Sequence, residues 1–483
     1  MSILKKLAGE TVIYGVSSIV GRFLNYLLVP FYTHVFLPAE YGVVTELYAY
    51  AAFLNVVFTF GMETTYFRFS NKDGADKDKV FSVIQSLLIC STLVLCTFGI
   101  LASSQIADLL KYPHQGHLIT YLVAVIGVDT LLALSFAKLR QEGKAKKFAF
   151  VKLFNIFLNI ALNVWFLVVM PMLHPQFQPD VSYVLTANLI ANLIQIFFFP
   201  KDVAKWFALS FSWPSTKQYV LYGLPLMVMG LAGMVNEVID RVLLKFILPE
   251  NFYPGKSQLA ALGIYGACYK LSIFMSLGIQ AFRYAAEPFF FARAKDRNSP
   301  DLYARVLHYF TFLCVAVLLF VSFNLDWIKY LLSNPEFRGG LFIVPILLSA
   351  NLFLGIYYNL SIWYKLTDRT DYGMWISLAG GCVTLVLNIL LIPKMGYLGC
   401  AWATLACYSL MSVASYLFGQ NYYFVPYHPF YLLTIIGISS LLCIWYWDAS
   451  FSSHPIQNIV YKNMLCLFAL VGFYFLGKKT KSL

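Results

Sequence analysis

Charged residues are scarce in this chain of 483 amino acids. Aspartate, glutamate, lysine and arginine make up only 12% of it, whereas apolar residues make up 60%. A soluble globular domain typically carries about 25% charged residues. The shortage of charge argues against a soluble enzyme, a disordered chain and a nucleic-acid-binding protein. It indicates a protein with many membrane-spanning segments.

Motifs that bind metals or nucleotides are also missing. The nine cysteines all lie in apolar segments and form no CxxC pair, so we expect small buried hydrophobic residues rather than metal ligands. The sequence has no HExxH or GxGxxG motif and no evident ATP-binding domain. We therefore expect no metal and no cofactor. Energy is expected from a coupling ion (H+ or Na+), from the substrate gradient or from consumption of the product.

Long apolar runs dominate the sequence. A helix needs about 20 mainly apolar residues to cross a bilayer, and fourteen segments meet this requirement. We number them spans 1 to 14 in chain order. They are predicted at 11–33, 42–66, 80–103, 118–138, 149–171, 182–200, 218–246, 261–286, 304–326, 340–363, 372–393, 397–418, 430–447 and 458–477. The predicted fold class is an all-α membrane protein of about fourteen transmembrane helices.

Basic residues gather on one side of these spans. If the N-terminus is cytoplasmic and the spans alternate, 23 lysines and arginines fall inside and six fall outside. An excess of cytoplasmic positive charge is typical of membrane proteins. It predicts an even number of spans with both termini inside, and it explains the net charge of +12 without a nucleic-acid partner.

The sequence also contains an internal duplication. Tyr14-Gly15 matches Tyr222-Gly223, Leu37-Pro38 matches Leu248-Pro249, Tyr41-Gly42 matches Tyr265-Gly266, and Asn163 matches Asn388. The number of residues that separates matched positions changes once, across residues 249–262. A single insertion in the second copy would cause such a change. Spans 1–6 thus correspond to spans 7–12 in the same orientation, which places a substrate site between the repeats. We predict an N-terminal lobe over 1–205, a C-terminal lobe over 206–420 and a terminal helix pair over 421–483.

Several short motifs resemble those of one family of transporters. They are Phe36-Leu-Pro-Ala-Glu-Tyr-Gly-Val43, Phe60-Gly-Met-Glu63, Tyr66-Phe-Arg-Phe69, Tyr222-Gly-Leu-Pro225, Asp240-Arg241 and Gly263-Ile-Tyr-Gly266. Together with the fourteen spans, they resemble the Wzx-type oligosaccharide flippases. These belong to the polysaccharide transporter branch of the multidrug/oligosaccharidyl-lipid/polysaccharide (MOP) exporter superfamily, whose fold is MATE-like.

The resemblance implies a function as well as a fold. It implies a flippase, not an enzyme, that moves a polyprenyl-diphosphate-linked oligosaccharide across the bacterial plasma membrane for surface polysaccharide biosynthesis. It implies alternating access of two six-helix lobes around a V-shaped cavity, with the terminal pair beside a groove for the lipid tail. The implied location is the inner membrane, and the implied partners are the lipid-linked oligosaccharide, membrane lipids and polysaccharide polymerase machinery.

Four cations in or beside the spans are the predicted diphosphate-binding residues. They are Arg22, Arg68, Lys270 and Arg283. A charge at mid-bilayer costs about 2.5–3.5 kcal/mol on insertion scales, so its presence needs a reason. Arg22 shares a helix face with Ser18 and Asn25, which suits a water-filled cavity, and the arginine fork matches phosphate oxygens. Pairing with another helix is the alternative for Arg22, and snorkelling to the interface is the alternative for Arg68 and Arg283.

Span 7 carries the predicted coupling or gating residues. They are Glu237, Asp240 and Arg241, with Asn25 of span 1 as a fourth. Glu237 and Arg241 have the i, i+4 spacing of a helix ion pair, and Asn236 lies beside them. The alternative is a self-neutralising structural cluster. Two further expectations are that Glu287 pairs with Arg283, and that Glu46, Asp129 and Lys152 lie near span ends and reach interfacial water.

Three other functions stay open. A lipid II flippase and a cation-coupled multidrug exporter belong to the same superfamily, and a cation exporter is expected to have a net acidic cavity. A membrane glycan polymerase or ligase is disfavoured because no loop on the outside is long enough for a catalytic domain.

Overall fold

A computed structural model describes residues 15–479 apart from 18, 294, 295, 297 and 453. Several sequence predictions fall outside this part of the chain. They concern Lys5, Lys6, Tyr14, Ser18, Lys295, Arg297, Lys481 and the side chain of Glu287.

The described chain is almost entirely helical, because a backbone in hydrocarbon must satisfy its hydrogen bonds internally. The longer α-helices are Leu28–Val35, Pro38–Thr59, Met62–Ser70, Lys77–Leu101, Ser103–Leu109, Gly116–Gln141, Ala145–Val164, Val181–Gln195, Trp213–Ile247, Gln258–Lys270, Ile273–Arg293, Ser299–Phe323, Val344–Leu360, Thr370–Met395, Tyr397–Tyr422, Pro429–Tyr446 and Pro455–Lys479. A π-helical turn, Trp165–Val169, extends span 5, and a 3₁₀ segment, Pro335–Ile343, leads into span 10.

The number of membrane-crossing helices agrees with the predicted fold class. In the described residues, twelve helices are long and apolar enough to cross a membrane. The helix pair Gln258–Lys270 and Ile273–Phe291, bent by 48°, meets the same requirement when taken as one span, which brings the number to thirteen. Residues 19–26 and Leu28–Val35 are helical within predicted span 1, whose first part lies outside the described residues. The prediction of an all-α membrane protein with about fourteen spans is confirmed.

Local sequence determines where several helices begin and break. Asp76 begins span 3 by accepting hydrogen bonds from the backbone N–H groups of Asp78 and Lys79 at 3.0 and 3.2 Å. Asp180 begins span 6 in the same way, at 2.8 Å. Such caps satisfy donors of the first turn that have no partner within the helix. Span 2 breaks at Gly61, whose φ of +74° is left-handed and suits glycine.

Packing divides the chain into two compact units. Unit 1 contains the described residues up to Leu28 together with Val43–Met234. Unit 2 contains Val29–Gly42 together with the described residues from Val235 onward. The division therefore falls within spans 1 and 7 and near the start of span 2. The predicted lobe boundaries at 205/206 and 420/421 come from the duplication and stay a prediction.

Unit 1 is held by an apolar core and by ion pairs at the helix ends. Met62, Phe81 and Leu134, from spans 2, 3 and 4, are fully buried in one cluster. At the end of span 4, Lys138 Nζ donates to Asp202 Oδ1 at 2.9 Å. This bond fixes the short helix Pro200–Ala204 to the end of span 4.

Unit 2 includes the terminal helix pair. Lys462 of span 14 is fully buried, and its ammonium donates to Asp326 Oδ2 at 2.7 Å and to the Trp447 carbonyl at 2.9 Å. Asn463 and Asn324 exchange side-chain hydrogen bonds of 2.9 and 3.0 Å. Polar bonds therefore fix span 14 to the end of span 9 and to the end of span 13.

The cysteines follow their expected burial in most cases. All nine are free, six are buried, and Cys90 and Cys96 are half-buried. Cys382 is exposed on span 11, so the expectation of burial is wrong for this residue. Hydropathy reports an apolar segment but not which of its faces meets another helix.

Two glycines allow a close helix crossing within unit 2. A Cβ on Gly42 would lie 2.0 Å from the Leu259 carbonyl oxygen, and a Cβ on Gly263 would lie 1.9 Å from that of Pro38. Both obstructing atoms belong to the backbone and cannot turn aside as a flexible side chain can. Small residues let helices approach closely in membranes, so these glycines of the sequence motifs have a packing role.

The substitution Gly263→Ala is expected to separate the crossing helices and to lower the free energy of unfolding by about 1–3 kcal/mol, the usual cost of overpacking. The matched control is Gly278→Ala on the same span, where an added Cβ meets no atom within 4 Å. Thermal unfolding in detergent measures both. Equal unfolding temperatures for the two variants would contradict the close crossing.

Candidate functional site

Asp240 is the buried carboxylate of span 7. It is 2% exposed, and the Tyr265 hydroxyl donates a hydrogen bond to its Oδ2. The backbone N–H of Arg241 donates to its Oδ1 at 2.8 Å. Both carboxylate oxygens are thus partnered, which offsets part of the cost of removing the charge from water. Through Tyr265, Asp240 links span 7 to span 8.

The Arg241 guanidinium contacts three groups. Its Nη1 donates to the main-chain carbonyl of Glu237 at 2.8 Å and lies 4.0 Å from Asp240 Oδ1. Its central carbon lies 4.3 Å from the centre of the Tyr269 ring, a cation–π contact. The carboxylate paired with Arg241 is therefore that of Asp240, whereas the i, i+4 spacing predicts Glu237. The Glu237 side chain is exposed.

Asn236 forms hydrogen bonds with residues of two other spans. Its Nδ2 donates to the Ser377 carbonyl at 2.9 Å. Thr384 Oγ1 and Cys407 Sγ donate to its Oδ1 at 3.3 and 3.5 Å. Asn236 therefore connects span 7 to spans 11 and 12. Sequence reasoning missed this role because the partners lie more than 140 residues away along the chain.

Arg283 lines a small pocket in unit 2. Its guanidinium carbon lies 3.9 Å from the centre of the Tyr358 ring. Ser361 and Lys365 line the same pocket, together with apolar residues of spans 8 and 10. A pocket with an arginine and a lysine suits an anionic group. The sequence does not predict Lys365 as a binding residue, because a lysine at the end of span 10 looks like an ordinary basic residue of a cytoplasmic loop.

Arg68 and Lys270 are both exposed at the ends of helices. Arg68 lies in the last turn of Met62–Ser70, with its guanidinium carbon 4.4 Å from the centre of the Tyr222 ring. Lys270 is the last residue of Gln258–Lys270, at the bend within span 8. These positions allow both cations to reach water.

Arg22 and Asn25 are exposed on one turn of span 1. Within the part of the chain that the structure describes, Arg22 has no ion-pair partner. An exposed arginine well inside a span needs water or an anion to satisfy it. A role for Arg22 in a cavity stays a prediction.

The eight predicted site residues form one contiguous group and several separate positions. Glu237, Asp240 and Arg241 make up the group, in unit 2. The other five divide between the units, with Arg22, Asn25 and Arg68 in unit 1 and Lys270 and Arg283 in unit 2.

The position predicted for Glu46 is wrong. Sequence reasoning places it near a span end in contact with interfacial water, but it is fully buried. Tyr50 OH donates to its Oε1 at 2.6 Å, and Tyr112 OH donates to its Oε2. Hydropathy shows the charge but not the two hydroxyl groups that satisfy it.

The expected position is also wrong for Asp129, whereas Lys152 lies near the start of its helix, Ala145–Val164, as expected. Asp129 lies in the middle of Gly116–Gln141 rather than near its end. Lys152 Nζ lies 4.1 Å from the centre of the Phe136 ring, and the lysine interacts electrostatically with Asp129. The two residues face each other from spans 4 and 5. Their opposite charges, which hydropathy treats separately, explain how they occur inside the spans.

Asn163 and Asn388, which match in the predicted duplication, make the same kind of hydrogen bond. Asn163 Nδ2 donates to the Asn159 carbonyl at 2.8 Å, and Asn388 Nδ2 donates to the Thr384 carbonyl at 2.8 Å. Both matched asparagines are fully buried. Asn71, Asn351 and Asn463 make the same bond to the residue four positions earlier. The bond is therefore common to asparagines in these helices, and the repeat stays a prediction.

Comparison with known proteins gives a family and a fold. A family model described as polysaccharide biosynthesis protein matches residues 7–293. Among solved structures, the lipid II flippase MurJ in an inward closed conformation aligns with a TM-score of 0.71 and 15% identity, over 97% of this chain and 99% of that one. An inward-facing multidrug resistance MATE family transporter of the MOP superfamily aligns with a TM-score of 0.63 and 12% identity, over 82% and 93%. Among curated proteins, none matches the sequence significantly.

The substitution Asp240→Ala is expected to destabilise the protein by about 3–5 kcal/mol, because it leaves Arg241 without its carboxylate partner. Glu237→Ala is the matched control on the same helix, and truncating this exposed side chain should change stability little. Thermal unfolding of both variants in detergent measures the difference. If the two unfold at the same temperature, Asp240 does not hold spans 7 and 8 together.

Proposed function

The chain belongs to the polysaccharide biosynthesis protein family, and on this premise we propose that it is a lipid-linked oligosaccharide flippase of the Wzx type. The family match, which covers more than half of the chain, is the observation that carries the proposal. The proposed substrate is a polyprenyl-diphosphate-linked oligosaccharide. The protein moves it from the inner to the outer leaflet of a bacterial plasma membrane, for the synthesis of a surface polysaccharide.

The diphosphate group is proposed to bind to exposed cations within the spans. Arg22 is the first of these, since its guanidinium is exposed and arginine matches phosphate oxygens in geometry and charge. Arg283, with Lys365 in the same pocket, offers a second position for an anion. Arg68 and Lys270 add positive charge at helix ends.

Movement of the substrate is proposed to follow alternating access of two lobes. Glu237, Asp240 and Arg241 are the proposed coupling or gating group, with H+ or Na+ as the coupling ion. The contacts of Asp240 with Tyr265 and of Arg241 with Tyr269 support a role in holding spans 7 and 8 together in one state. A gate would have to break some of these contacts and re-form them.

The proposed setting follows from the charge distribution of the sequence. A multi-pass protein with basic segments on one side is expected to place both termini in the cytoplasm. The proposed location is the inner membrane, with polysaccharide polymerase machinery as a partner that consumes the flipped lipid. The protein is proposed to act as a transporter and not as an enzyme, in line with the transporters that share its fold.

A lipid II flippase is the second candidate. The alignment with the lipid II flippase MurJ extends over 97% of this chain and supports this alternative. Export of an organic cation is less favoured, because Arg22, Arg68 and Arg283 are exposed cations that would repel such a substrate.

Deletion of the gene tests the proposed function. Polyprenyl-diphosphate glycans are extracted, weighed by mass spectrometry and assigned to a leaflet by their protection from an impermeant probe. A complete repeat unit trapped on the inner leaflet, with surface glycan lost, is the expected result. A repeat unit that still reaches the outer leaflet, in a strain with no second flippase for it, would contradict the proposal. Trapped lipid II instead would favour the second candidate.

The substitution Arg22→Ala is expected to reduce glycan export at least about tenfold, because a charge-assisted hydrogen bond to the diphosphate is lost. Arg22→Lys should retain part of the export, since the charge stays while the two-pronged geometry is lost. The control is Arg293→Ala, because Arg293 is an exposed arginine with a 3.1 Å ion pair to Asp296 at the end of its helix. Export by Arg22→Ala at the wild-type level, with normal expression, would refute the role of Arg22.

A further inference from the structure

A group of polar side chains lies within the spans of unit 1 and has no part in the proposed diphosphate site. We call it the asparagine cluster. Its members are Tyr48 of span 2, Asp129 of span 4, Lys152 and Asn155 of span 5, and Asn188 and Asn192 of span 6.

Hydrogen bonds and charge interactions join the members of the asparagine cluster. Asn188 Nδ2 donates to the Tyr48 hydroxyl at 3.2 Å, and Asn155 Nδ2 donates to Asn192 Oδ1 at 3.0 Å. Asp129 interacts with Lys152 and lies beside Asn192. It also interacts electrostatically with Tyr48, which connects the two hydrogen-bonded pairs. Four helices thus contribute to one polar surface.

The asparagine cluster is open to a ligand. Asp129 is exposed and Tyr48 is 39% exposed. A carboxylate in the middle of a span does not face hydrocarbon, because of the cost of placing a charge there, so Asp129 faces water. Asn192 is only 3% exposed, and its side-chain amide interacts with the Asp129 carboxylate.

The chemistry of the cluster favours one kind of ligand. A metal-cation site presents oxygen acceptors only, whereas this cluster also presents the Lys152 ammonium and amide N–H donors. A phosphate site requires a net positive charge, whereas Asp129 and Lys152 cancel each other. Sugar hydroxyls both donate and accept hydrogen bonds, as the asparagine side chains do. The exposed Tyr48 ring adds an apolar surface with a polar edge.

We propose that the asparagine cluster binds the sugar hydroxyls of the glycan carried by the lipid. Asp129 accepts hydrogen bonds from the hydroxyls, and the Tyr48 hydroxyl, which itself accepts from Asn188, donates to one. The inference rests on the proposed function and adds to it a second recognition site, for the sugar part of the substrate rather than for its diphosphate.

Binding measurements with two probes test this inference. The first probe is the repeat-unit oligosaccharide cut from the surface polysaccharide of the same cells. The second is a polyprenyl diphosphate without a glycan. Dissociation constants are measured by microscale thermophoresis on the purified full-length protein in detergent. Asp129→Asn and Tyr48→Phe change single polar groups with little change of shape, and Asn55→Leu alters an exposed asparagine of span 2 outside the cluster.

The expected result separates the two probes. Asp129→Asn should weaken oligosaccharide binding at least about tenfold, the effect of losing a hydrogen bond to a charged group, and Tyr48→Phe should weaken it less. Binding of the polyprenyl diphosphate should stay unchanged in both variants. Asn55→Leu should bind both probes as the wild type does. Thermal unfolding of each variant confirms that the fold is retained.

Three results would overturn the inference. One is wild-type binding of the oligosaccharide by Asp129→Asn. Another is no oligosaccharide binding by the wild-type protein. The third is a variant that binds the oligosaccharide normally but loses a dependence of polyprenyl diphosphate binding on Na+ or pH, which would assign the cluster to a coupling ion. In each case, continued binding of the polyprenyl diphosphate by the wild type leaves the proposed function intact, whereas failure of that binding counts against the function itself.

Discussion

Buried backbone and charged groups within the spans need partners in place of bulk water, and this constraint organises the protein. Backbone groups meet it by forming helices. Charged side chains meet it by pairing, as with Asp240 and its two donors or Lys462 and Asp326. Glu46 meets it with two tyrosine hydroxyls. These bonds link helices that lie far apart in the sequence, so satisfying the charges also fixes the packing of each unit.

The same constraint separates structural charges from candidate functional ones. A buried group such as Lys462, which donates to Asp326 and to the Trp447 carbonyl, is not accessible to a substrate. Arg22 and Asp129 are different, because each is an exposed charge well inside a span. Such a position is stable only beside water or a ligand. The proposed flippase uses this difference, with exposed cations for the diphosphate and a neutral polar cluster for the sugar.

Hydropathy and charge pattern were sufficient to predict the fold, because span length and polarity are local properties of the sequence. The positions of the spans follow from hydropathy and charge. The bend near Lys270 does not. The contacts of Asn236 and Glu46 were not predictable, because their partners come from other helices and no pattern along one helix reveals them. The predicted position of Asp129 was wrong for a related reason. The residue of opposite charge that interacts with it, Lys152, lies on the next span. The positions assigned to Arg22, Arg68, Lys270 and Arg283 came from the sequence, and their roles stay predictions.

Transport by the purified protein is the most direct test of the central claim. The protein is reconstituted into liposomes that contain the polyprenyl-diphosphate oligosaccharide extracted from cells lacking the gene. An impermeant reagent that modifies the glycan then reports the fraction of the lipid in the outer leaflet. The proposed flippase is expected to make almost all of the lipid accessible, while protein-free liposomes expose only the fraction that starts outside. An accessible fraction that is the same with and without the protein would contradict the account.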